Sequence, residues 1–490
     1  MDKPEISDIE NETIHDVNEA IQEPPAEIEE EVMKNANEGT GKPISGALKK
    51  FFGVGDFGFA MMANIDTFYA SYFFINIAQF SLVATSVITT ISAVVDMFLS
   101  TLYGPFMNKV KPRKWGRYRS WLVLTPWMVP ILYAAQFVRL GNGVAALAFC
   151  TIAMITSRIA WNLPFISNIS MINKAGATQK DRMSLSSSRA MWGSAASVVY
   201  SYAGPAVVSV FAALIGGENA YAATAFAFSC LMVAGMYAHF VMFKGYELTG
   251  PEEIALLQKQ ASESGEEKVK VKVLKVLTSS ASLVWLFISN ITKYVAMFLV
   301  NGIAIYYFTY VSFNPGMLAT FVLISNLLAI IAGYLSRFIV DKFGAKATVV
   351  ASLLVSSIVG VVGYLLFQNL LVAMITMSAF TFMLRLTNAC DPELYAKCAR
   401  FIGNKLGYDV TGTVMGLLTV PLKIGIVFRG ILISVVLGIA GFDAAIDPSL
   451  ADAALQSGVS IGFMIIPAVV AIFGAIALAF GYRLTREDVK

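Results

Sequence analysis

Uninterrupted apolar runs, too long for the surface of a soluble fold, decide the class of this chain. LVATSVITTISAVV (82–95) and IIPAVVAIFGAIALAF (465–480) contain no charged residue. A helix needs on the order of 20 apolar residues to cross roughly 30 Å of hydrocarbon. Lipid offers the backbone no hydrogen-bond partner, so such runs must be helical. Only 14% of the 490 residues are charged, against about a quarter in globular domains. The expectation is an all-α integral membrane protein.

Twelve candidate spans can be placed, at about 52–77, 82–107, 120–138, 143–167, 189–214, 219–243, 281–310, 315–339, 347–368, 370–395, 411–441 and 457–482. The connections alternate. One set is basic: Lys109 to Arg119, Lys174 to Arg182, Lys244 to Lys275, Arg337 to Lys346 and Lys397 to Lys405. The other set has Arg139 and little else, and 442–456 is acidic. Lys and Arg are retained on the cytoplasmic side, so both termini are expected there, in the cell membrane. Residues 1–50 form an acidic tail without apolar periodicity, expected to be solvated and disordered. The linker 244–280 divides the remainder into bundles at 51–243 and 281–482, with a short tail at 483–490. GPFMNKVKPRKWGRYR after the second span and RFIVDKFGAK after the eighth are glycine-centred basic turns at equivalent places, as an internal duplication predicts.

Two motifs are excluded by context. GVGDFG (53–58) fits the dinucleotide-binding spacing, but no strand precedes it and it enters a membrane helix. Its glycines are expected to let helices approach closely. GVSIG (458–462) fits a nucleophile elbow without a strand or a histidine partner. Cys150, Cys230, Cys390 and Cys398 are scattered, and the two histidines, His15 and His239, lie far apart. Neither set makes a disulfide framework or a metal site. No enzyme activity and no cofactor are expected.

At GVGDFG, at KWGRYRSWL (114–122) and at GIAIYYFTYV (302–311), the chain resembles the glycoside–pentoside–hexuronide:cation symporters, the branch of the major facilitator superfamily that includes melibiose permease. The resemblance runs from about residue 50 to the C-terminus. It implies twelve helices in two six-helix bundles around a central sugar pocket, with uptake driven by a sodium or proton gradient through alternating access.

Ionisable groups inside the spans point to the chemistry independently. An Asp or Lys at a helix centre costs about 2.5–3.5 kcal/mol on insertion scales, so each one is a functional candidate. They are Asp56, Asp66, Asp96, Arg158, Arg189, Lys293, Arg385, Asp391, Glu393, Lys423 and Arg429. Asp96 is the sharpest, deep in SAVVDMFLSTLYG with Ser100 one turn away. It can take up a proton, ligate sodium, or form a permanent ion pair with a lysine such as Lys423. The family's sodium site uses two helix 2 carboxylates and a helix 4 threonine. Asp96 matches the first carboxylate, Ser100 stands at the second and Ile159 at the threonine. A hard cation wants several oxygens, so a proton is the better expectation than sodium.

The resemblance also maps the sugar pocket. The family's helix 1 and helix 4 aspartates and its helix 4 tryptophan fall on Ala60, Asn162 and Ile166, whereas its arginine, lysine and threonine are retained as Arg189, Lys423 and Thr419. Arg158 and Asn162 share a face, as do Thr419 and Lys423. A pocket that loses acids and keeps bases suits an acidic sugar; a neutral glycoside held by Asn162, Arg189 and Asp56 stays open. Lys293 lines the cavity or holds helices together. Arg117, Arg119, Asp341, Asp391 and Glu393 are the candidate gate. The expected partners are the bilayer and a small sugar or acidic sugar, with no nucleic acid, and the chain is expected to act as a monomer. The alternatives are a carrier of a non-sugar solute, such as a lysolipid or drug, and a non-transporting sensor.

Overall fold

The computed structural model describes residues 42–176, 179–254, 273–407 and 410–484. The tail to residue 41, linker residues 255–272 and the C-terminus from 485 lie outside the described residues, as does the side chain of Ser100.

The apolar runs form helices, here α1 to α12. The first half holds α1 (Val54–Tyr72 and Phe73–Ile77), α2 (Leu82–Lys109), α3 (Trp121–Leu124, Pro126–Met128 and Val129–Ala135), α4 (Val144–Ala175), α5 (Gln179–Ile215) and α6 (Gly217–Met242). The second holds α7 (Ala281–Tyr310), α8 (Met317–Phe343), α9 (Ala345–Leu365), α10 (Leu370–Leu386), α11 (Thr411–Gly416, Leu417–Thr419 and Val420–Ile439) and α12 (Ala453–Ser460, Ile461–Ile465 and Ile466–Gly481). Among the described residues, ten of these are long and apolar enough to cross a membrane, α10 when taken together with the helix that follows it to Leu406. The other two are α1, which carries Asp56 and Asp66, and α3, which is broken at Pro126 and Pro130.

Local chemistry starts the helices where the turns require it. Ser81 accepts the Ala84 amide at the start of α2, Asn369 those of Leu371 and Val372 at α10, and Asp452 that of Leu455 at α12. Each satisfies a donor that a helix N-terminus would otherwise leave unpaired. Large apolar side chains such as Val241, Ile358, Ile375 and Phe473 remain exposed on the outer surface, where lipid replaces water as their solvent.

Each helix repeats its neighbourhood six helices later. In the first half α1 packs on α5 and α6, α2 on α4, and α3 on α4 and α6. In the second, α7 packs on α11 and α12, α8 on α10, and α9 on α10 and α12. The halves meet through α1–α7, α2–α11 and α5–α8. This is the duplicated two-bundle arrangement that the basic turns foreshadow.

The glycines of GVGDFG serve the first bundle. A Cβ on Gly53 would lie 2.5 Å from Trp192, on Gly55 2.9 Å from the His239 ring, and on Gly58 2.5 Å from the Leu231 carbonyl oxygen. Small residues let α1 settle against α5 and α6.

Two boundaries differ from the sequence expectation. Gly46–Phe51, at the end of the expected disordered tail, is a helix capped by Ser45 and set against α5. The tenth span ends at Leu386, and Asp391–Leu406 forms a separate helix with Pro392 in its first turn. Proline fixes φ and has no N–H to continue the preceding helix. Leu394, Tyr395, Cys398, Ala399 and Ile402 are the buried stripe of this amphipathic piece.

Candidate functional site

Charge is concentrated where the halves meet. Asp96 of α2 accepts Lys423 Nζ of α11 at 2.5 Å on Oδ2 and Asn162 Nδ2 of α4 at 2.6 Å on Oδ1. The Asn162 amide also donates to the Arg158 carbonyl at 2.8 Å. One turn back on the same face of α4, Arg158 Nη2 donates to Asp66 Oδ2 of α1 at 3.0 Å. Arg429 Nη2 of α11 reaches that oxygen at 3.4 Å, and its Nη1 reaches the Thr67 carbonyl at 3.4 Å. The acids thus stand on the first half, and two of their three bases stand on the second.

Asp66 and Asp96 are 6% and 4% exposed. Carboxylates taken so far from water must be paired, because desolvation costs several kcal/mol per ion. Pairing is incomplete at Asp66, whose Oδ1 has no hydrogen-bond partner among the described residues, nor has Arg158 Nε. The Trp161 ring, between Arg158 and Asn162 in sequence, lies under Lys423 with Nζ 5.7 Å from the ring centroid, and its indole N–H is unpartnered.

The hydrogen bonds that join the halves extend in one direction from this cluster. Ser197 on α5 accepts from Asn326 on α8 at 3.0 Å, and Tyr202 pairs with Thr320 at 3.2 Å. At the ends of α1 and α7, Asn76 Nδ2 donates to the Tyr310 hydroxyl at 2.9 Å. The described chain ends lie at the opposite face, where Lys42 Nζ reaches the Lys244 carbonyl and Lys346 Nζ the Tyr482 carbonyl. These contacts close the face remote from the chain ends.

The family model described as MFS/sugar transport protein matches residues 51–486. The chain belongs to this family. No curated protein matches it. Among solved structures it is similar to nucleoside transporter NupG, at 12% identity and TM-score 0.60 over 89% of this chain and 100% of that one. It is also similar to a D-xylose-proton symporter, at 12% identity and TM-score 0.60 over 90% and 98%, and to a peptide transporter POT crystallised with sulfate, at 14% and 0.57 over 91% and 97%. Such identities show the fold alone, two six-helix bundles; that the chain is a major facilitator transporter rests on the family model. Family and fold are those of secondary transporters, not enzymes.

Two further buried ion pairs of this transporter, Arg189–Asp56 and Lys293–Asp391, each lie within one half. Arg189 Nε and Nη2 grip Asp56 at 2.5–2.9 Å, and Asn168 Nδ2 donates to Asp56 Oδ2 at 3.3 Å. Asn168 Oδ1 then bonds His239 Nδ1, and His239 Nε2 accepts the Gly55 amide at 3.0 Å. That assigns the Nδ1–H tautomer and makes the histidine a link between α1, α4 and α6. Lys293 of α7 is buried against Asp391 and donates to Asn388 Oδ1 at 3.2 Å. Thr419 is exposed and donates to the Gly416 carbonyl. Ser100 lies on α2, its side chain outside the described residues.

Of the gate candidates, Arg117 Nε donates to Glu253 Oε1 at 2.9 Å, both side chains being buried. Arg119 Nε donates to the Phe240 carbonyl at 2.8 Å. The Glu247 carboxylate accepts the Tyr118 and Arg119 amides at 2.9 and 2.8 Å. All of these tie the α2–α3 turn to the end of α6 and the segment after it in the first half. Burial pushes the Glu247 carboxyl up to about 7, against the opposing pull of the two amides and Lys174. Asp341 is exposed at the end of α8, Asp391 is held by Lys293, and Glu393 forms a surface pair with Lys397 one turn on.

Asp66 and Arg429 stand in the interface beside these residues; both are functional candidates from sequence as charges inside spans, but neither was assigned a cation, pocket or gating role. The signal was present, an ionisable group inside an apolar run, but neither falls on a pocket or cation position carried over from the family.

Proposed function

We propose that this protein is a cation-coupled symporter of the glycoside–pentoside–hexuronide type, a monomer in the cell membrane with both termini cytoplasmic, that imports a sugar, glycoside or hexuronide. The observation that carries the reading is Asp96, a buried carboxylate that bonds across the two halves to Lys423. A proton on Asp96 removes the charge that Lys423 pairs with and loosens the α2–α11 contact. Alternating access requires such a contact to break and re-form in each cycle, so the carboxylate couples the gradient to the rocking of the bundles. The proton is favoured over sodium because the two groups on Asp96 described above, an ammonium and an amide N–H, are donors, whereas a hard cation gathers oxygens. With basic connections and chain ends placed at the cytoplasm, the conformation is closed outside and faces inward.

The test is uptake of labelled sugars into proteoliposomes under imposed pH or sodium gradients. Accumulation driven by a pH gradient alone supports proton coupling; accumulation driven by sodium alone moves the reading to sodium. Transport indifferent to both gradients would remove the symporter reading.

A further inference from the structure

Between the halves lies a polar cavity of about 240 Å³. At about 30 Å³ per water it has room for about eight waters, enough for a small solute or one end of a larger one. The first half lines it with Asn64 and Ser197, the second with Asn301, Asn326, Thr381 and Arg385. Asn64 Nδ2 donates to Ser197 Oγ at 3.5 Å and Thr381 Oγ1 to Ser325 Oγ at 3.4 Å, so the amides and hydroxyls form one polar lining. Thr67, whose carbonyl receives Arg429 Nη1 at 3.4 Å, is part of the same wall. The cavity therefore adjoins the charge cluster that bolts the halves together.

Arg385 sits deep inside the protein and has no acidic side chain within 4.0 Å and no hydrogen bond among the described residues. It keeps some accessible surface, and it lines the cavity. The other helix-embedded bases, Arg158, Arg189, Lys293, Lys423 and Arg429, are each paired with an aspartate. A guanidinium left alone in the interior of a membrane helix is costly. A ligand that brought its own negative charge would offset that cost, and a planar fork of donors fits a carboxylate in two parallel bonds.

We propose that Arg385 is the anion anchor of the transport site: it binds the carboxylate of a small polar solute while Asn64 on one half and Asn301 and Asn326 on the other engage that solute's hydroxyls. Arg385 decides in this way between acidic and neutral solutes. Contact with both halves lets the bound solute influence how they rock. The proposal builds on the transporter reading above and names a substrate class and a selecting residue for it.

The test measures ligand-induced thermal shift and binding on the purified full-length protein, wild type, R385Q and R385K, with glucuronate, galacturonate, glucose, galactose and lactate as probes. The expected result is that wild type binds a sugar acid more tightly than its neutral counterpart. R385Q is expected to lose roughly 10- to 100-fold for the acid, the range for a hydrogen bond to a charged group, and to lose little for the neutral sugar. R385K, which keeps the charge without the fork, falls between them and checks that the site is intact. A sugar bound equally well by wild type and R385Q overturns the anchor and leaves the sugar reading standing. Lactate binding that depends on Arg385, with no sugar bound, upholds the anchor and overturns the sugar reading. No acid favoured by wild type over R385Q overturns the proposal.

Discussion

Lys423 Nζ donates to Asp96 Oδ2 at 2.5 Å, joining α11 of the second half to α2 of the first across 327 residues of sequence. The two side chains differ in exposure, 22% for the lysine and 6% for the aspartate. The acid is thus the more desolvated member, and the base is the one with room to withdraw. An exchange of Lys423 for a proton leaves no uncompensated carboxylate in the interior, which is the condition a coupling residue has to meet.

Breaking this pair from either side is expected to be costly, and breaking it from both sides less so. Leaving one buried charge unpaired costs about 3–5 kcal/mol, whereas removing both partners of a buried pair is often near neutral. D96N and K423Q should each lower the melting temperature by several degrees, and the D96N/K423Q double variant should recover most of it. In proteoliposomes D96N is expected to retain solute exchange at equilibrium while losing accumulation against a gradient. Full accumulation by D96N would show that another group couples the ion.

How much of this was legible in the sequence differs by level. The spans were, because charge-free runs of that length have one stable solution in lipid. The break after Leu386 was not: the short stretch Thr387–Cys390 carries no charge, so the span reads on through it, and what stops the helix is Pro392, whose effect on backbone hydrogen bonding hydropathy does not register. Asp96, Asp66 and Arg158 stood out as expensive charges. Sequence gives that cost and not the partner, and Asp66 is neutralised by one arginine 92 residues away and another 363 away. Lys423 stood out in the sequence as a candidate partner for Asp96, but nothing there linked Arg429 to Asp66.

The close approach of α1 to α6 predicts a sharp contrast between glycines. A methyl group on Gly58 would lie 2.5 Å from the Leu231 backbone oxygen, whereas one on Gly193 would meet nothing within 4 Å. G58A is expected to cost about 1–3 kcal/mol through overpacking and G193A to be neutral or stabilising by about 0.5–1 kcal/mol through helix propensity. Thermal denaturation in detergent, read by size exclusion after heating, separates the two. Equal behaviour would remove the packing explanation for GVGDFG.

The Glu247 clasp on the α2–α3 turn should loosen as pH rises. An exposed glutamate titrates near 4.5, and burial lifts this one to about 7, so the docked state holds its proton more tightly than the undocked state. Docking is then favoured at low pH, weakens as pH climbs from about 4.5 towards 7, and levels off above that. Hydrogen exchange at the Tyr118 and Arg119 amides, corrected for intrinsic rates, is expected to accelerate over that window. E247Q should flatten the dependence. Exchange that slows with rising pH would mean that the amide bonds outweigh desolvation.

Closure of the face remote from the chain ends gives the most direct test of alternating access. Asn76 and Tyr310 lie at the ends of α1 and α7, 2.9 Å apart at their side chains, and Tyr306 and Tyr310 pack edge-on against Phe442 beside them. In a background lacking Cys150, Cys230, Cys390 and Cys398, N76C/Y310C treated with a short cleavable thiol cross-linker should hold the halves together at that face. Transport is expected to fall to background on cross-linking and to return when the linker is cut. Binding measured from the face of the chain ends is expected to persist throughout, because alternating access leaves that face as the entrance to the cavity when the other is held shut. Undiminished transport in the cross-linked protein would mean that this face does not open during the cycle, and the rocking mechanism would fail with it.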